Sequence, residues 1–172
     1  FHNRSWNSLE ELRDWFEWEV PAQFNIAEYV CSRWADDADR VMLIARDGDG
    51  NERTFTFQEF DALTDRLANY LDAQGIGRGD RIGVNSPQKP ATALSYIAAW
   101  KLGAVPVPLS TKFGPDALAY RLADSAATAC VVDQMNVENY RSIKEDIETL
   151  TTTLTVDTAP EDDEVDFWTA LE

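Results

Sequence analysis

The sequence predicts an α/β protein: a mostly parallel sheet with helices on both faces, plus a small β-hairpin. Two observations carry this. From Arg81 onward, short apolar runs alternate with helical periodicity in the order β-α-β-α-β-α-β. Upstream, VMLIAR (Val41 to Arg46) and RTFTF (Arg53 to Phe57) flank the dense turn signal DGDGN.

The elements follow in chain order. Ser8-x-x-Glu11 is a capping box that opens a helix running to near Pro21, with Leu9, Leu12, Trp15 and Phe16 on one stripe and Trp18 to one side. The carboxylates Glu10, Glu11, Asp14, Glu17 and Glu19 would be repelled by anionic lipid, so the stripe is expected to pack on its own domain or a neighbouring one. FNIAEYVCSRWADD reads as a second helix with Asn25 and Glu28 in capping positions. After the hairpin, Thr56-x-x-Glu59 opens a long helix with Phe60, Leu63, Leu67 and Leu71 on one face, closed by Gly75. RIGVN (Arg81 to Asn85) is a short strand, and Pro87 to Leu102 is a mostly apolar helix ending at Gly103. AVPVPL (Ala104 to Leu109) is extended, and its two prolines demand a position with few ladder bonds. Gly114-Pro115-Asp116 starts a helix through Asp124, in which Arg121 and Asp124 are spaced as an i, i+3 pair. ACVVD (Ala129 to Asp133) is a strand of the buried type, Val137 to Leu150 is helical, and TLTV (Thr153 to Val156) is extended. The acidic run PEDDEVD (Pro160 to Asp166) reads as a linker to a last apolar turn, FWTAL. Three regions result: a helical segment over 1–40, an α/β lobe over 41–156, and an acidic linker with a short helix over 157–172.

Charge and cysteine usage exclude several function classes. The 172 residues hold 31 acidic and 15 basic side chains, a net charge of −16. Nucleic-acid binding is disfavoured because a phosphate backbone needs a basic face. No apolar run reaches the roughly 18 residues of a membrane span. Asp outnumbers Glu 18 to 13, and Arg outnumbers Lys 11 to 4. Such a surface resists aggregation but repels itself unless salt screens it, and it is expected of a salt-rich cytoplasm, with an ordinary acidic cytosolic domain as the alternative. Cys31 and Cys130 form no C-x-x-C, and His2 is the only imidazole, so a zinc site lacks ligands. Cys130 reads as a buried small hydrophobe, and reduced thiols fit best. No metal site is expected: the Asp-rich turn suggests an EF-hand loop but lacks the closing Glu at its twelfth position.

Gly75-Ile76-Gly77-Arg78-Gly79-Asp80 invites comparison with a phosphate-binding loop. Such loops follow a strand and open a helix, whereas these glycines follow a helix and precede a strand, so they read as a C-cap and turn. No G-x-x-x-x-G-K-[ST] or G-x-S-x-G occurs, and one imidazole makes a Ser-His-Asp triad implausible. No catalytic residue is assigned.

FTFQEFDALTDRLANYLDAQGIGRGDRIGV (Phe55 to Val84) and AAWKLGAVPVPLSTKFGPDALAYRLADSAATACVV (Ala98 to Val132) resemble the N-terminal domain of the adenylate-forming enzymes. The match covers most of residues 41 to 133 in order and spacing. PAQFNIAEYVCSRWADD (Pro21 to Asp37) looks like a segment of the acetyl- and medium-chain acyl-CoA synthetases, and FWTAL resembles the short helix ahead of that family's phosphate loop. The resemblance implies the first lobe of that domain and a two-step reaction. A carboxylate attacks the α-phosphate of ATP to give an acyl-adenylate and pyrophosphate, and the CoA thiol then displaces AMP. Electrostatic stabilisation of the transferring group requires Mg²⁺, a Ser/Thr/Gly-rich loop and a lysine. Those groups lie downstream in the family, so the sequence, which begins at Phe1, is expected to be an N-terminal fragment, inactive alone. ATP, Mg²⁺ and CoA are the cofactors implied for the parent enzyme, with none held tightly here. The resemblance also implies a CoA side, and here Thr111, Lys112, Phe113 and Gly114 occupy it, with Arg141 near a CoA-phosphate position. Lys112 would meet a phosphate and Phe113 would stack on adenine or line the pantetheine path; the competing reading is a solvated surface loop. Two other functions stay open: a stand-alone, non-catalytic binding module, and part of an adenylation domain that loads a carrier protein. Apolar surface exposed on a free fragment also predicts dimerisation.

Overall fold

The computed structural model describes residues 5–172; His2 lies outside them. Helix α1 (Leu9–Trp15) starts at the Ser8 cap, where the Glu11 N–H donates to Ser8 Oγ at 3.1 Å. It ends at Trp15, well before Pro21, and buries no residue. Asn25 caps α2 (Ile26–Val30) by accepting from the Ala27 N–H at 2.9 Å. The second sequence helix then tightens into a 3₁₀ turn at Ser32–Trp34.

Strands β1 (Val41–Arg46) and β2 (Glu52–Thr56) pair antiparallel, as the turn signal requires. Asp47 closes that turn by accepting from the Asn51 and Asp49 N–H groups and from Asn51 Nδ2. Thr56 caps α3 (Phe57–Ala73) with a complete capping box, the Glu59 carboxylate returning to the Thr56 N–H.

The main sheet has five parallel strands: β3 (Arg81–Asn85), β4 (Val105–Pro108), β5 (Ala129–Asp133), β6 (Thr152–Val156) and β7 (Glu164–Asp166), in the order β4-β3-β5-β6-β7. Helices α4 (Pro90–Leu102) and α5 (Pro115–Asp124) make the first two crossovers. The chain steps from β3 outward to β4, then back across β3 to β5. Crossovers of one hand then place α4 and α5 on opposite faces. The core divides accordingly. Ile82, Val84, Val131 and Leu154 pack with Leu67 and Leu71 of α3 and Leu94 and Ile97 of α4. Cys130 and Val132 face the other way, with Leu118 and Leu122 of α5 and Tyr140 of α6 (Val137–Arg141).

Pro106 and Pro108 sit on β4, an outer strand that among the described residues is bonded only to β3, which meets their need for few ladder bonds. Gly83 on β3 marks a close approach. A Cβ there would lie 2.6 Å from Leu122 Cδ2 and 3.2 Å from Leu109 Cδ1. Gly83→Val is expected to destabilise by about 1–3 kcal/mol through overpacking, read as a lower urea midpoint.

Two further elements depart from the sequence reading. The helix expected over Val137 to Leu150 stops at Arg141 and continues only as a 3₁₀ turn at Lys144–Asp146. The acidic linker contains an edge strand, β7, parallel to β6. Strand pairing is possible there because cations from α6 and the turn after it neutralise the buried Glu164. The final 3₁₀ turn, Thr169–Leu171, packs on α3, with Arg66 donating to the Leu171 carbonyl at 3.2 Å.

Candidate functional site

In an open parallel sheet, ligands gather beyond the carboxyl ends of the strands, where the strand order reverses. Here that point lies between β3 and β5. The residues that end those strands are polar and buried: Asn85 closes β3 and Asp133 closes β5.

The two organise separate clusters. Asn85 Nδ2 donates to the carbonyls of Leu109 and Ser110, at 3.2 and 2.9 Å, drawing the loop after β4 over the end of β3. Asn136 Nδ2 donates to Asn85 Oδ1 at 3.0 Å and to the Phe113 carbonyl at 3.1 Å. Asn139 then donates to Asn136 Oδ1 at 2.7 Å. These amides hold the loop before α5 against the start of α6.

The second cluster is charged. Lys89, in the loop after β3, donates to Asp133 Oδ2 and to Asp157 Oδ2, each at 2.6 Å. The Met135 N–H donates to the other Asp133 oxygen at 2.9 Å. Burial pulls the Lys89 ammonium down, but its two carboxylate partners outweigh that and hold it above its ordinary value. Asp157 adopts φ 56, the left-handed region that is uncommon for a non-glycine residue, so the turn after β6 is held in place by this pair. Lys89 and Asp157 also border a cavity of about 870 Å³ between the hairpin and the start of α4.

The sequence-predicted residues separate into two places. Thr111, Lys112, Phe113 and Gly114 lie together on the loop from β4 to α5. Lys112 is exposed and forms no ion pair with any described residue. Phe113 is half-buried beneath Arg121, whose guanidinium carbon lies 4.1 Å from the ring centroid. Arg121 is therefore used on the ring and forms no pair with Asp124, correcting the i, i+3 expectation. Gly114 caps α5 with an ordinary φ of −74 and open space at its Cβ position, so nothing local requires glycine there.

Arg141 does not join that loop. It grips Glu164 with both forks, at 3.2 and 2.7 Å, and donates to the Ala159 carbonyl at 2.8 Å. Lys144 adds bonds to Asp163 and Glu164, at 2.7 and 2.9 Å. The carboxylates of Glu161, Asp163 and Glu164 gather within 4.8 Å. Arg141 and Lys144 already answer that charge, so the trio fits a protein ion-pair cluster rather than a Mg²⁺ site. Both cysteines are free and buried; burial pushes the Cys31 thiol up to about 12, so it is no nucleophile.

Sequence reasoning passed over Asn85, Lys89, Asp133, Asn136 and Asp157. The available signal was positional: RIGVN and ACVVD are buried apolar strands that each end on one polar residue.

The AMP-binding enzyme family model matches residues 31–171. Among curated relatives, a mitochondrial acyl-coenzyme A synthetase ACSM3 of Mus musculus is 28% identical over 137 residues, covering 76% of this chain and 24% of its own. A 3-hydroxybenzoate/4-hydroxybenzoate–CoA ligase of Thauera aromatica is 33% identical over 97 residues, covering 56% and 18%. The chain thus spans about a fifth to a quarter of the length of these relatives. A crystal structure of a Brucella canis acyl-CoA synthetase superposes with a TM-score of 0.75 at 27% identity, over 86% of this chain and 27% of the other. An acetoacetyl-CoA synthetase from Streptomyces lividans shares the fold, with a TM-score of 0.83 at 19% identity over 90% of this chain and 26% of the other.

Proposed function

We propose, because this chain belongs to the AMP-binding enzyme family, that it forms the N-terminal portion of an AMP-forming acyl-CoA synthetase. The parent would convert ATP, a carboxylic acid and CoA into acyl-CoA, AMP and pyrophosphate. The observation that carries this is the family match over residues 31–171, supported by relatives whose names are CoA synthetases and CoA ligases. On this reading, Thr111 to Gly114 belong to the CoA side, where Lys112, without an ion pair among the described residues, offers its ammonium to a CoA phosphate. Arg141 would reach a phosphate only by releasing Glu164, so its proposed contact ranks behind that of Lys112. ATP and Mg²⁺ supply and neutralise the transferring phosphoryl group, and the residues here provide no loop for a triphosphate. The carboxylate excess supports a salt-rich cytoplasm as its setting.

The test has two arms. Incubated with ATP, Mg²⁺, carboxylic acids and CoA, the 172-residue chain is expected to yield no AMP, whereas the complete reading frame yields AMP and acyl-CoA together. Turnover by the short chain would overturn the assignment of the chemistry to residues beyond it. A reading frame that stops here would favour the stand-alone module. Acyl transfer to a carrier protein but not to CoA would favour the adenylation-domain reading. In the complete enzyme, Lys112→Ala should raise the CoA Michaelis constant about tenfold, the worth of one charge-assisted contact, while sparing adenylate formation.

A further inference from the structure

We propose that Asn85 and Asn136 are positioning residues: together they set the turn that presents Lys112, and through it the affinity for CoA. This rests on the reading above, in which that turn lies on the CoA side.

The turn runs from Ser110 to Phe113 and is closed by the Phe113 N–H, which donates to the Ser110 carbonyl at 3.1 Å. Thr111 and Lys112 are its central residues. The Lys112 N–H donates to Ser110 Oγ at 3.2 Å. The Lys112 side chain is exposed and has no ion pair among the described residues. Its backbone is thus fixed while its ammonium stays available to an anionic ligand.

Buried amides, not strand pairing, hold both ends of the turn. The ladder between β3 and β4 gives out at the bond from the Leu109 N–H to the Val84 carbonyl. Beyond it, Asn85 Nδ2 takes the Leu109 and Ser110 carbonyls, and Asn136 Nδ2 takes the Phe113 carbonyl. Asn85 is 0% exposed and Asn136 3%.

Asn136 stands at the N-cap of α6, where asparagine ordinarily accepts from the helix's own first N–H groups. Here its side chain makes no cap bond. Its Oδ1 accepts from Asn139, and its two Nδ2 hydrogens go to Asn85 Oδ1 and the Phe113 carbonyl. Neither amide can be reversed, because each Nδ2 faces two acceptors. The side chain forgoes its helix and locks the loop in one place, as support for a binding group requires. Asn136→Asp keeps the volume but sets a carboxylate against two acceptor oxygens.

A double-mutant cycle on the complete enzyme tests this. Asn136→Asp is expected to raise the CoA Michaelis constant about fivefold, well beyond any change in that for ATP. In a Lys112→Ala background the same change should add nothing, because the group it positions is gone. An equal rise with and without Lys112 would mark a merely structural contact and overturn the proposal. Asn136→Ser, which keeps a short hydroxyl donor, covers the case in which the aspartate does not fold; it should give a smaller rise, again only with Lys112 present. If Lys112→Ala raises the CoA constant and neither Asn136 variant does, the positioning role is overturned and the CoA reading stands. If Lys112→Ala leaves the constant unmoved, the CoA reading of this turn falls, and the proposal with it.

Discussion

Glu164→Ala is expected to cost about 3 kcal/mol, because it removes the one buried carboxylate that Arg141 and Lys144 share and leaves them the more exposed Glu161 and Asp163. Its carboxylate is fully buried, and the side chains of Arg141 and Lys144 are only 16% and 9% exposed. A conserved-shape change, Glu164→Gln, should lose nearly as much, since the cations remain. The same group makes the fold acid-sensitive. Burial pushes Glu164 up, but the bonds from Arg141, the Glu161 N–H and Lys144 outweigh it and bring it from 4.5 to about 2. A lowered carboxyl stabilises the fold above its unfolded value and loses that contribution as pH falls. The loss therefore runs from about pH 4.5 down through about 2 and amounts to about 3 kcal/mol. Thermal melts at pH 6 and pH 3 should show it, and Glu164→Gln should flatten it. An unchanged slope would place the stabilising charge elsewhere.

Lys89→Met is expected to be comparably damaging, about 3–5 kcal/mol by urea denaturation, because it abandons a buried charge. Asp133 is fully buried, so it cannot recover water when the ammonium is removed. Asp157, 43% exposed, can. Asp157→Asn should therefore cost no more than about 1 kcal/mol. The double change Lys89→Met with Asp133→Leu should recover most of the loss, since an apolar pair avoids the desolvation of both ions. No recovery would mean that the lysine acts by packing rather than by charge. Lys89 is held above its ordinary value, so its contribution is present at neutral pH and is lost only in strongly alkaline solution, as pH passes its raised value.

The alternation of apolar strands and helical stripes, the two capping signals at Ser8 and Thr56, and the glycine stops at Gly75 and Gly103 were legible in the sequence because each is a local property. Backbone hydrogen bonding and side-chain periodicity depend on residues within a few positions of one another. So the strands from Arg81 onward, the two-sided helical cover and the hairpin were determined by the chain's own pattern. The buried Cys130 followed from its apolar neighbours in the same way.

Only the tertiary structure decided which distant charges meet. Lys89 reaches residues 44 and 68 positions away, and Arg141 meets Glu164 at a separation of 23. Within PEDDEVD, composition favours solvent, and only the cations of α6 and its following turn turn three of those residues into a strand. Arg121 chose the Phe113 ring over Asp124 because the loop fold brought the ring to within 4.1 Å. Local periodicity carries no information about such pairings, since they are fixed by how strands order and helices dock. Secondary structure and layer arrangement were therefore written in the sequence. The polar cluster at the sheet reversal, and the separation of Arg141 from the Lys112 loop, came from the folded geometry.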